Sequence, residues 1–311
     1  MRKFIKKEKK FIATIGIFDG LHLGHQFILK EVIKEIRRPY VLPLVITFWP
    51  HPKEVLGDKF LGYITNFKNK NKLLNSLGIN NIWCFRSTLR LLNTDGFSFI
   101  KKIMEKFSLK GIVVGEDFKF GHRGKWRVDK LREMSRIFGF RLKIVKKIKY
   151  NKHIISSSFI RRLIYNGNFK EVKRLLGRDY IMEGKVIEGK GVGKKLGYPT
   201  ANIYNVDKFV MPKVGVYVSY VLVEKKVYLG AVNIGFKPTL GGKRYSLEVH
   251  ILNFNKNILD KKIKIIFLER IREEKKFSSL HILKKAIKKD IEFITAKYSA
   301  SSPHLTQLFV L

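Results

Sequence analysis

The sequence predicts two domains of different class, an α/β layer structure followed by an antiparallel β structure, and three observations carry that expectation. The chain is 311 residues long, room for two cores of roughly 100–200 residues each. Through residue 178, short β-branched apolar runs alternate with segments of helical periodicity, the pattern of a parallel sheet with helical crossovers. After Gly177 the period changes to two and glycines fall between successive runs, as in an antiparallel barrel or sandwich. With 45% hydrophobic residues and only 8 prolines, the chain has the material for packed interiors and lacks the polarity of a disordered one.

Taken in order, residues 11–18 (FIATIGIF) read as a buried strand, and 25–38 (HQFILKEVIKEIRR) carry apolar residues at helical spacing. Residues 41–48, 79–85, 111–114 and 140–145 are further strands, with helices at 97–107 and 128–138 between them. Residues 158–167 and 169–177 read as two short helices that turn at Asn166 and Gly167 and connect the halves. Residues 181–187, 215–223, 226–234, 247–252 and 261–267 then read as strands, with Gly184, Gly230, Gly241 and Gly242 at or near their ends. The amphipathic stretch 280–293 closes the second domain as a helix. The expected limits are 1–178 and 179–298, with a patternless tail at 299–311.

Lys and Arg total 64 against 25 Asp and Glu, a formal net charge of +39, which by itself suggests a nucleic-acid or anionic-membrane partner. The excess is spread, however: residues 1–178 hold 40 basic and 13 acidic residues, and 179–311 hold 24 and 12. Lysine supplies 47 of the 64, alongside abundant Ile, Asn and Phe, the mark of compositional drift at tolerant surface positions rather than of a built polyanion face. No specific nucleic acid and no membrane is expected as a partner, and weak self-association is the one protein contact left open. Cys84 is the only cysteine, so neither an intramolecular disulfide nor a cysteine-based zinc site can form, and a reducing compartment is indicated. The basic N-terminus and the apolar run after it break at Asp19 without a small-residue cleavage site. No stretch approaches the ~18 apolar residues of a membrane span. A soluble, cytoplasmic protein is expected.

Between the first strand and the first helix lies GIFDGLHLGH (16–25). Gly16, Gly20 and Gly24 let the backbone turn tightly and approach a ligand, and the helix that follows offers unpaired N–H groups at a positive dipole end, a ready phosphate site. His22 and His25 could both face that phosphate; the plainer alternative is two histidines that end a turn. In the second half, GKGVGKKLGYPTAN (189–202) invites a phosphate-loop reading that fails residue by residue. A Walker A pattern ending at Gly193-Lys194 needs Gly at Glu188 and Ser or Thr at Lys195, and a GxGxxG from Gly191 needs Gly at Leu196 and a long helix after it. What remains is a loop bearing Gly189, Gly191, Gly193, Lys194 and Gly197, either an anion-binding nest or a flexible basic hairpin. Glu248, on an alternating strand, reads by position alone as an outward-facing charge.

Together these segments resemble a known family, the prokaryotic bifunctional riboflavin kinases/FMN adenylyltransferases. In the first half the resemblance lies in HxGH, TFWPHP (47–52), GEDFKFG (115–121), ISSSFIR (155–161) and LLGR (175–178). In the second it lies in the glycine run with its PTAN ending, Pro212 with Gly215-Val216-Tyr217, and Asn233-Ile234-Gly235 with Pro238-Thr239. Leu247-Glu248-Val249-His250 continues it, as do Arg272, Glu274, Lys276 and Phe277 with Ser279-Leu280. It runs from residue 11 to residue 297.

The resemblance implies a Rossmann-like nucleotidylyltransferase domain and then an antiparallel β-barrel kinase domain with a C-terminal helix. It implies ATP-dependent phosphorylation of riboflavin to FMN and adenylylation of FMN to FAD, with pyrophosphate released. Riboflavin, FMN, FAD and ATP would be the partners, and Mg²⁺ the cofactor with ATP as co-substrate. His22 and His25 would stabilise charge at the α-phosphate of ATP. Gly16, Phe18, Asp19, Gly20, Gly24, Ser157, Ser158 and Arg161 would bind nucleotide, hydroxyls and a guanidinium suiting phosphate oxygens, and Asp117 and Phe118 would belong to a flavin pocket. In the second domain Gly189, Gly191, Gly193, Lys194 and Gly197 would hold ATP, and Thr200 and Asn202 would hold Mg²⁺. Arg272 and Glu274 would meet the flavin, and Glu248 would be the general base for the riboflavin 5′-hydroxyl. One segment departs from the family pattern DFxxDLYG: residues 253–260 read NFNKNILD, which leaves the geometry of that turn open. An enzyme with one working half, the kinase being the weaker, and a basic nucleic-acid-binding protein on the same frame are the rival readings.

Overall fold

A computed structural model describes residues 9–189, 191–239 and 242–299. The N-terminal residues 1–8, Lys190 of the glycine-rich run, Gly241 and the tail from residue 300 lie outside the described residues. Contacts divide the chain into two compact units, Met1–Phe60 with Phe67–Ser156, and Leu61–Asn66 with Ser157–Leu311. The two helices that follow Ser156 thus pack in the unit of the second half.

In the first unit the strands are β1 (Lys10–Ile15), β2 (Val41–Trp49), β3 (Asn81–Arg86), β4 (Leu109–Gly115), the short β5 (Lys119–Phe120) and β6 (Trp126–Arg127), β7 (Arg141–Val145), and the short β8 (Lys149–Tyr150) and β9 (His153–Ile154). The helices are α1 (Leu23–Lys34), α2 (Pro52–Val55), α3 (Phe67–Ser76), α4 (Leu89–Leu92), α5 (Gly96–Lys106) and α6 (Val128–Phe138). Five strands form one sheet in the order β3-β2-β1-β4-β7, every pair parallel. Successive residues of β1 serve opposite faces: Ala13 and Ile15 join a core with Phe99, Ile100 and Leu131 of α5 and α6, and Ile12 joins another with Val32 of α1. Helices cover both faces, as the near-continuous apolar strands of a parallel sheet require. The strand order reverses beside β1, with β2 on one flank and β4 on the other, and ligands of such sheets sit beyond the carboxyl ends of the strands at that point. The loop after β1 occupies it.

Helix α3 has no counterpart in the sequence-based reading. Its residues, FKNKNKLLNS, show no apolar stripe, and it buries Asn69 and Lys70 beside Leu74.

The second unit opens with helices α7 (Ser157–Tyr165) and α8 (Phe169–Leu176). It continues with β10 (Ile181–Ile187), α9 (Val192–Lys195), β11 (Ala201–Tyr204), β12 (Gly215–Val223), β13 (Lys226–Thr239), β14 (Gly242–Ile251), β15 (Lys262–Arg272) and α10 (Leu280–Tyr298). Six strands close a barrel in the order β10-β11-β14-β13-β12-β15, every pair antiparallel, which decides between barrel and sandwich. Strand β11 covers the AN of PTAN, a segment read from sequence as loop; four residues after a proline are too few for alternation to show. Phe169 of α8 stacks on Phe267 of β15 with centroids 5.2 Å apart, and Ile294 of α10 packs with Val218 and Leu252.

The start of α10 is set by Ser279, whose hydroxyl accepts the N–H of Ile282 at 3.3 Å. Ser279→Ala should lower the stability of this unit by about 1 kcal/mol, seen as a lower denaturant midpoint at unchanged slope; an unmoved midpoint would show that the cap contributes nothing.

Candidate functional site

The loop that leaves β1 is conformationally demanding, with Phe18 (φ 53°), Gly20 (φ 83°) and Leu21 (φ 41°) all in the left-handed region. Phe18 and Leu21 are buried in one core with Leu29, Val45 and Leu74, and that packing holds a backbone that L-residues seldom adopt. With its ring in the core, Phe18 has its backbone to offer a ligand. Gly16 lies against that ring, and Asp19 is buried in the same loop. His22 ends the loop as the N-cap of α1: its Nδ1 accepts the N–H of His25 at 3.2 Å, which leaves the proton of the neutral ring on Nε2. The His22 and His25 rings stack with centroids 3.6 Å and planes 17° apart, and Phe18 meets His25 edge-on at 5.2 Å. Gly24 makes room for this, since a Cβ there would lie 3.1 Å from His22 Nδ1. Two imidazoles are thereby presented as a rigid pair at a helix N-terminus, where backbone N–H groups favour an anion.

A group that the sequence analysis did not single out ties this loop to the sheet. Lys70 is 2% exposed. Its ammonium donates to the Ile17 carbonyl at 3.2 Å and to Thr47 Oγ1 at 3.0 Å, and the Thr47 hydroxyl donates to the same carbonyl at 3.1 Å. The rings of Trp49 and Phe67 lie 5.7 and 5.4 Å away. Burial pulls the Lys70 ammonium down to a pKa of about 8, against the opposing influence of Cys84 and Asp19; burial also pushes the Cys84 thiol up.

Beside the end of β1 lies a cleft of about 530 Å³ whose walls include Ile17, Phe48, Phe99, Phe118 and Phe120. Phe118 and Phe120 stack at 5.4 Å and 12°, a wall suited to a planar aromatic ligand. Asp117 is not part of it; its side chain is exposed and pairs with Lys147 at 3.2 Å. Ser157 and Ser158 begin α7 in the second unit, and Arg161, buried on that helix, donates from Nε to the Gly62 carbonyl at 2.9 Å.

In the second unit one line of residues crosses five strands. Asn202 of β11 is opposite Glu248 of β14, Glu248 opposite Asn233 of β13, Asn233 opposite Val216 of β12, and Val216 opposite Arg272 of β15. Directly opposed residues of an antiparallel sheet project to the same side, and a register shift next to Val216 aims the last pair. Glu248, Asn233 and Arg272 line a cleft of about 300 Å³ with Glu274 and Asp290. A second cleft, of about 310 Å³, is lined by Glu188, Gly189, Gly191, Asn202 and the hairpin 254–259. Thr200 lines both, and its hydroxyl donates to Glu248 Oε2 at 3.5 Å.

The Asn202 amide rests on bare backbone: a Cβ on Gly189 would fall 1.8 Å from its Nδ2. Gly193 backs onto Thr200 in the same way, Gly191 and Gly197 turn the loop, and Lys194 of α9 is exposed. Arg272 is gripped by Asp290, Nε to Oδ1 at 3.0 Å and Nη2 to Oδ2 at 2.8 Å, and Glu274 lies over Gly235. Thr200, Asn202 and Glu248 offer hard oxygens where the clefts meet. Among the described residues no group of three or more His, Cys, Asp or Glu is gathered.

The hairpin 253–260 closes through its own side chains. Asn257 Oδ1 accepts the N–H of Leu259 at 2.9 Å, an Asx turn. Asp260 takes φ 63°, which Asp tolerates better than most residues, and pairs with Lys185 at 2.7 Å. Of the residues that sequence reasoning missed, Asp290 had left a signal. Leu283, Ile287, Asp290 and Ile294 recur at helical spacing, so this acid falls inside the apolar stripe of α10. Lys70, one of 47 lysines in a segment without periodicity, had left none.

Comparison with known proteins agrees with two catalytic halves. The family model described as FAD synthetase matches residues 4–159, and the one described as riboflavin kinase matches residues 176–298. Three of the curated relatives that carry the name bifunctional riboflavin kinase/FMN adenylyltransferase illustrate the match. That of Buchnera aphidicola subsp. Schizaphis graminum is 37% identical over 91% of this chain and 92% of its own. That of Bacillus subtilis is 34% identical over 92% of each, and that of Escherichia coli K12 is 31% identical over 90% of each. A crystal structure from Streptococcus pneumoniae, described as a macrolide-efflux protein, matches with a TM-score of 0.81 at 30% identity, over 93% of this chain and 95% of that one. Among the described residues here, no helix is long and apolar enough to cross a membrane.

The buried lysine makes stability depend on pH. In the unfolded chain Lys70 returns to its ordinary value of 10.5, so between pH 8 and pH 10.5 the unfolded state binds the extra proton and stability rises with pH. Across that window the natural chain should gain about 2–3 kcal/mol relative to Lys70→Met, read from paired denaturant titrations. Parallel curves for the two proteins would remove Lys70 as the source.

Proposed function

The chain belongs to the bifunctional riboflavin kinase/FMN adenylyltransferase family, and from that membership we propose how its residues divide the work. It phosphorylates riboflavin to FMN and adenylylates FMN to FAD, consuming ATP in each reaction. We assign adenylylation to residues 1–178 and phosphorylation to residues 179–298.

The observation that carries the kinase assignment is Thr200 on two clefts, 3.5 Å from Glu248. ATP occupies the cleft of Gly189, Gly191 and Asn202, with Gly193, Lys194 and Gly197 shaping the loop beside it. Riboflavin occupies the cleft of Glu248, Arg272 and Glu274, and the two meet at Thr200. Glu248 accepts the proton of the 5′-hydroxyl as that oxygen bonds to the γ-phosphorus and the bond to the ADP oxygen breaks. Thr200 and Asn202 are the groups that would hold Mg²⁺, which when bound neutralises charge on the phosphates. The grip of Asp290 keeps the Arg272 guanidinium in one orientation toward the flavin cleft.

Adenylyl transfer makes a different demand. An FMN phosphate oxygen attacks the α-phosphorus of ATP and pyrophosphate leaves; the nucleophile is already ionised, so positioning and charge stabilisation are what the protein supplies. His22, with its Nε2 proton, and His25 supply donors at the α-phosphate, while Gly16, Phe18, Asp19, Gly20 and Gly24 form the loop that holds them. The cleft walled by Phe118 receives the flavin ring, and Asp117 enters this reading only as its neighbour. Ser157, Ser158 and Arg161 bind nucleotide on the strength of their chemistry. A cytoplasmic location is supported by the need for ATP and by a single cysteine.

Incubation with riboflavin, ATP and Mg²⁺, with the three flavins separated afterwards, tests both assignments. Glu248→Gln should lower riboflavin phosphorylation by about 10²–10⁴-fold while FMN supplied directly still becomes FAD. His22→Ala or His25→Ala should cost about 2–4 kcal/mol in transition-state stabilisation, so that FMN accumulates. Unaltered FAD formation in either histidine variant would return the pair to a structural role, and unaltered phosphorylation in Glu248→Gln would do the same for that carboxylate.

A further inference from the structure

We infer that Lys70 is a positioning residue of the adenylyl-transfer site: its buried ammonium fixes the Ile17 carbonyl and, through it, the strained loop that presents His22 and His25. The inference rests on the assignment of that histidine pair. Ile17 is the last residue before Phe18, the first of the left-handed positions, and its carbonyl receives two donors, Lys70 and Thr47. The orientation of the peptide between Ile17 and Phe18 decides where the Phe18 ring goes, and that ring meets the edge of His25. Lys70 therefore acts on the imidazoles at one remove, through backbone, without touching them in the described contacts.

The location of this ammonium makes little sense as a device for stability. A charge buried between Trp49 and Phe67 loses its hydration, and an apolar side chain of similar length would fill the same space without that cost. A charge-assisted bond to a carbonyl, in contrast, is stronger than the Thr47 hydroxyl bond alone. A charge placed at a cost to stability, beside a proposed catalytic loop, is expected where preorganisation matters more than fold strength.

Protonation gives a readout that packing would not. The titratable groups that act on the ammonium are the Asp19 carboxylate of the loop and the Cys84 thiol of β3. Strand β2 turns Thr47 and Trp49 toward it and α3 turns Phe67 toward it. With the ammonium titrating at about 8, FAD formation should decline above that pH, whereas the FMN phosphate, whose second ionisation lies near pH 6, is constant there.

The test uses the full chain as natural protein, Lys70→Met, Lys70→Arg and His22→Ala. For each, kcat and KM for FMN adenylylation are measured from pH 6.5 to 9.5, with riboflavin phosphorylation and the thermal midpoint followed in the same preparations. Lys70→Met should lose at least tenfold in kcat at pH 7, with riboflavin phosphorylation within twofold of normal and a thermal midpoint unchanged or raised. Lys70→Arg, which keeps its charge, should retain more activity than Lys70→Met and should lack the decline above pH 8. The inference is overturned if Lys70→Met keeps kcat within twofold while His22→Ala loses FAD formation. It is overturned equally if Lys70→Met lowers the thermal midpoint along with activity, or if the alkaline decline persists in Lys70→Arg. Full FAD formation by His22→Ala would instead remove the histidine assignment on which the inference stands.

Discussion

A Cβ on Gly189 would fall 1.8 Å from the Asn202 amide, and one on Gly24 would fall 3.1 Å from the His22 ring. In each unit a side chain proposed to act on phosphate is held by contact with bare backbone. This constraint has consequences outward in both directions. Strand β11 must run beside the glycine loop for Asn202 to rest there, and its pairing with β14 then brings Glu248 opposite Asn202. In the first unit, contact with Gly24 and the bond from the His25 N–H leave the His22 ring little freedom. Donors held in this way need no reorganisation when charge develops in the transition state, which is where electrostatic catalysis gains most.

The two units reach rigidity by different means because their sheets differ. A parallel sheet leaves its carboxyl ends open at the switch point, so the histidine loop is anchored by core packing of Phe18 and Leu21 and by the Lys70 bond. An antiparallel barrel has its side chains in transverse rows, so Asn202, Glu248, Asn233 and Arg272 are aligned by strand register itself. Helix α10 then contributes Asp290, whose carboxylate orients the end of that row. The hairpin 253–260 shows how much tolerance remains at the rim. Asn257 and Asp260 replace residues of the usual pattern, and the turn still closes by an Asx bond and an ion pair.

Few of the basic residues belong to either proposed site. Of the 64 basic residues, Lys70 and Arg161 are the ones buried among the described residues, each bonded to a backbone carbonyl. Several of the surface pairs, such as Lys130 with Glu133 and Lys34 with Glu31, are spaced three residues apart on helices, where such pairs contribute only tenths of a kcal/mol. The comparisons lend no support to a nucleic-acid-binding protein on this frame.

What the sequence determined by itself is whatever local pattern can encode. Periodicities of 3.6 and 2 marked the helices and strands of the two halves, and glycines beside His22, His25, Thr200 and Asn202 marked the loops where ligands approach. The six-stranded closure was beyond it, because barrel and sandwich share one alternation and differ only in which edges meet. Helix α3 was beyond it too, since a helix that buries Asn69 and Lys70 carries no apolar stripe to read. Glu248 looked like any outward-facing charge until register set it opposite Asn202 and beside Thr200. Lys70 was one lysine among 47. Burial and partnership are properties of three-dimensional neighbours, and only the tertiary structure supplied the carbonyl, the hydroxyl and the aromatic walls that distinguish this ammonium from the rest.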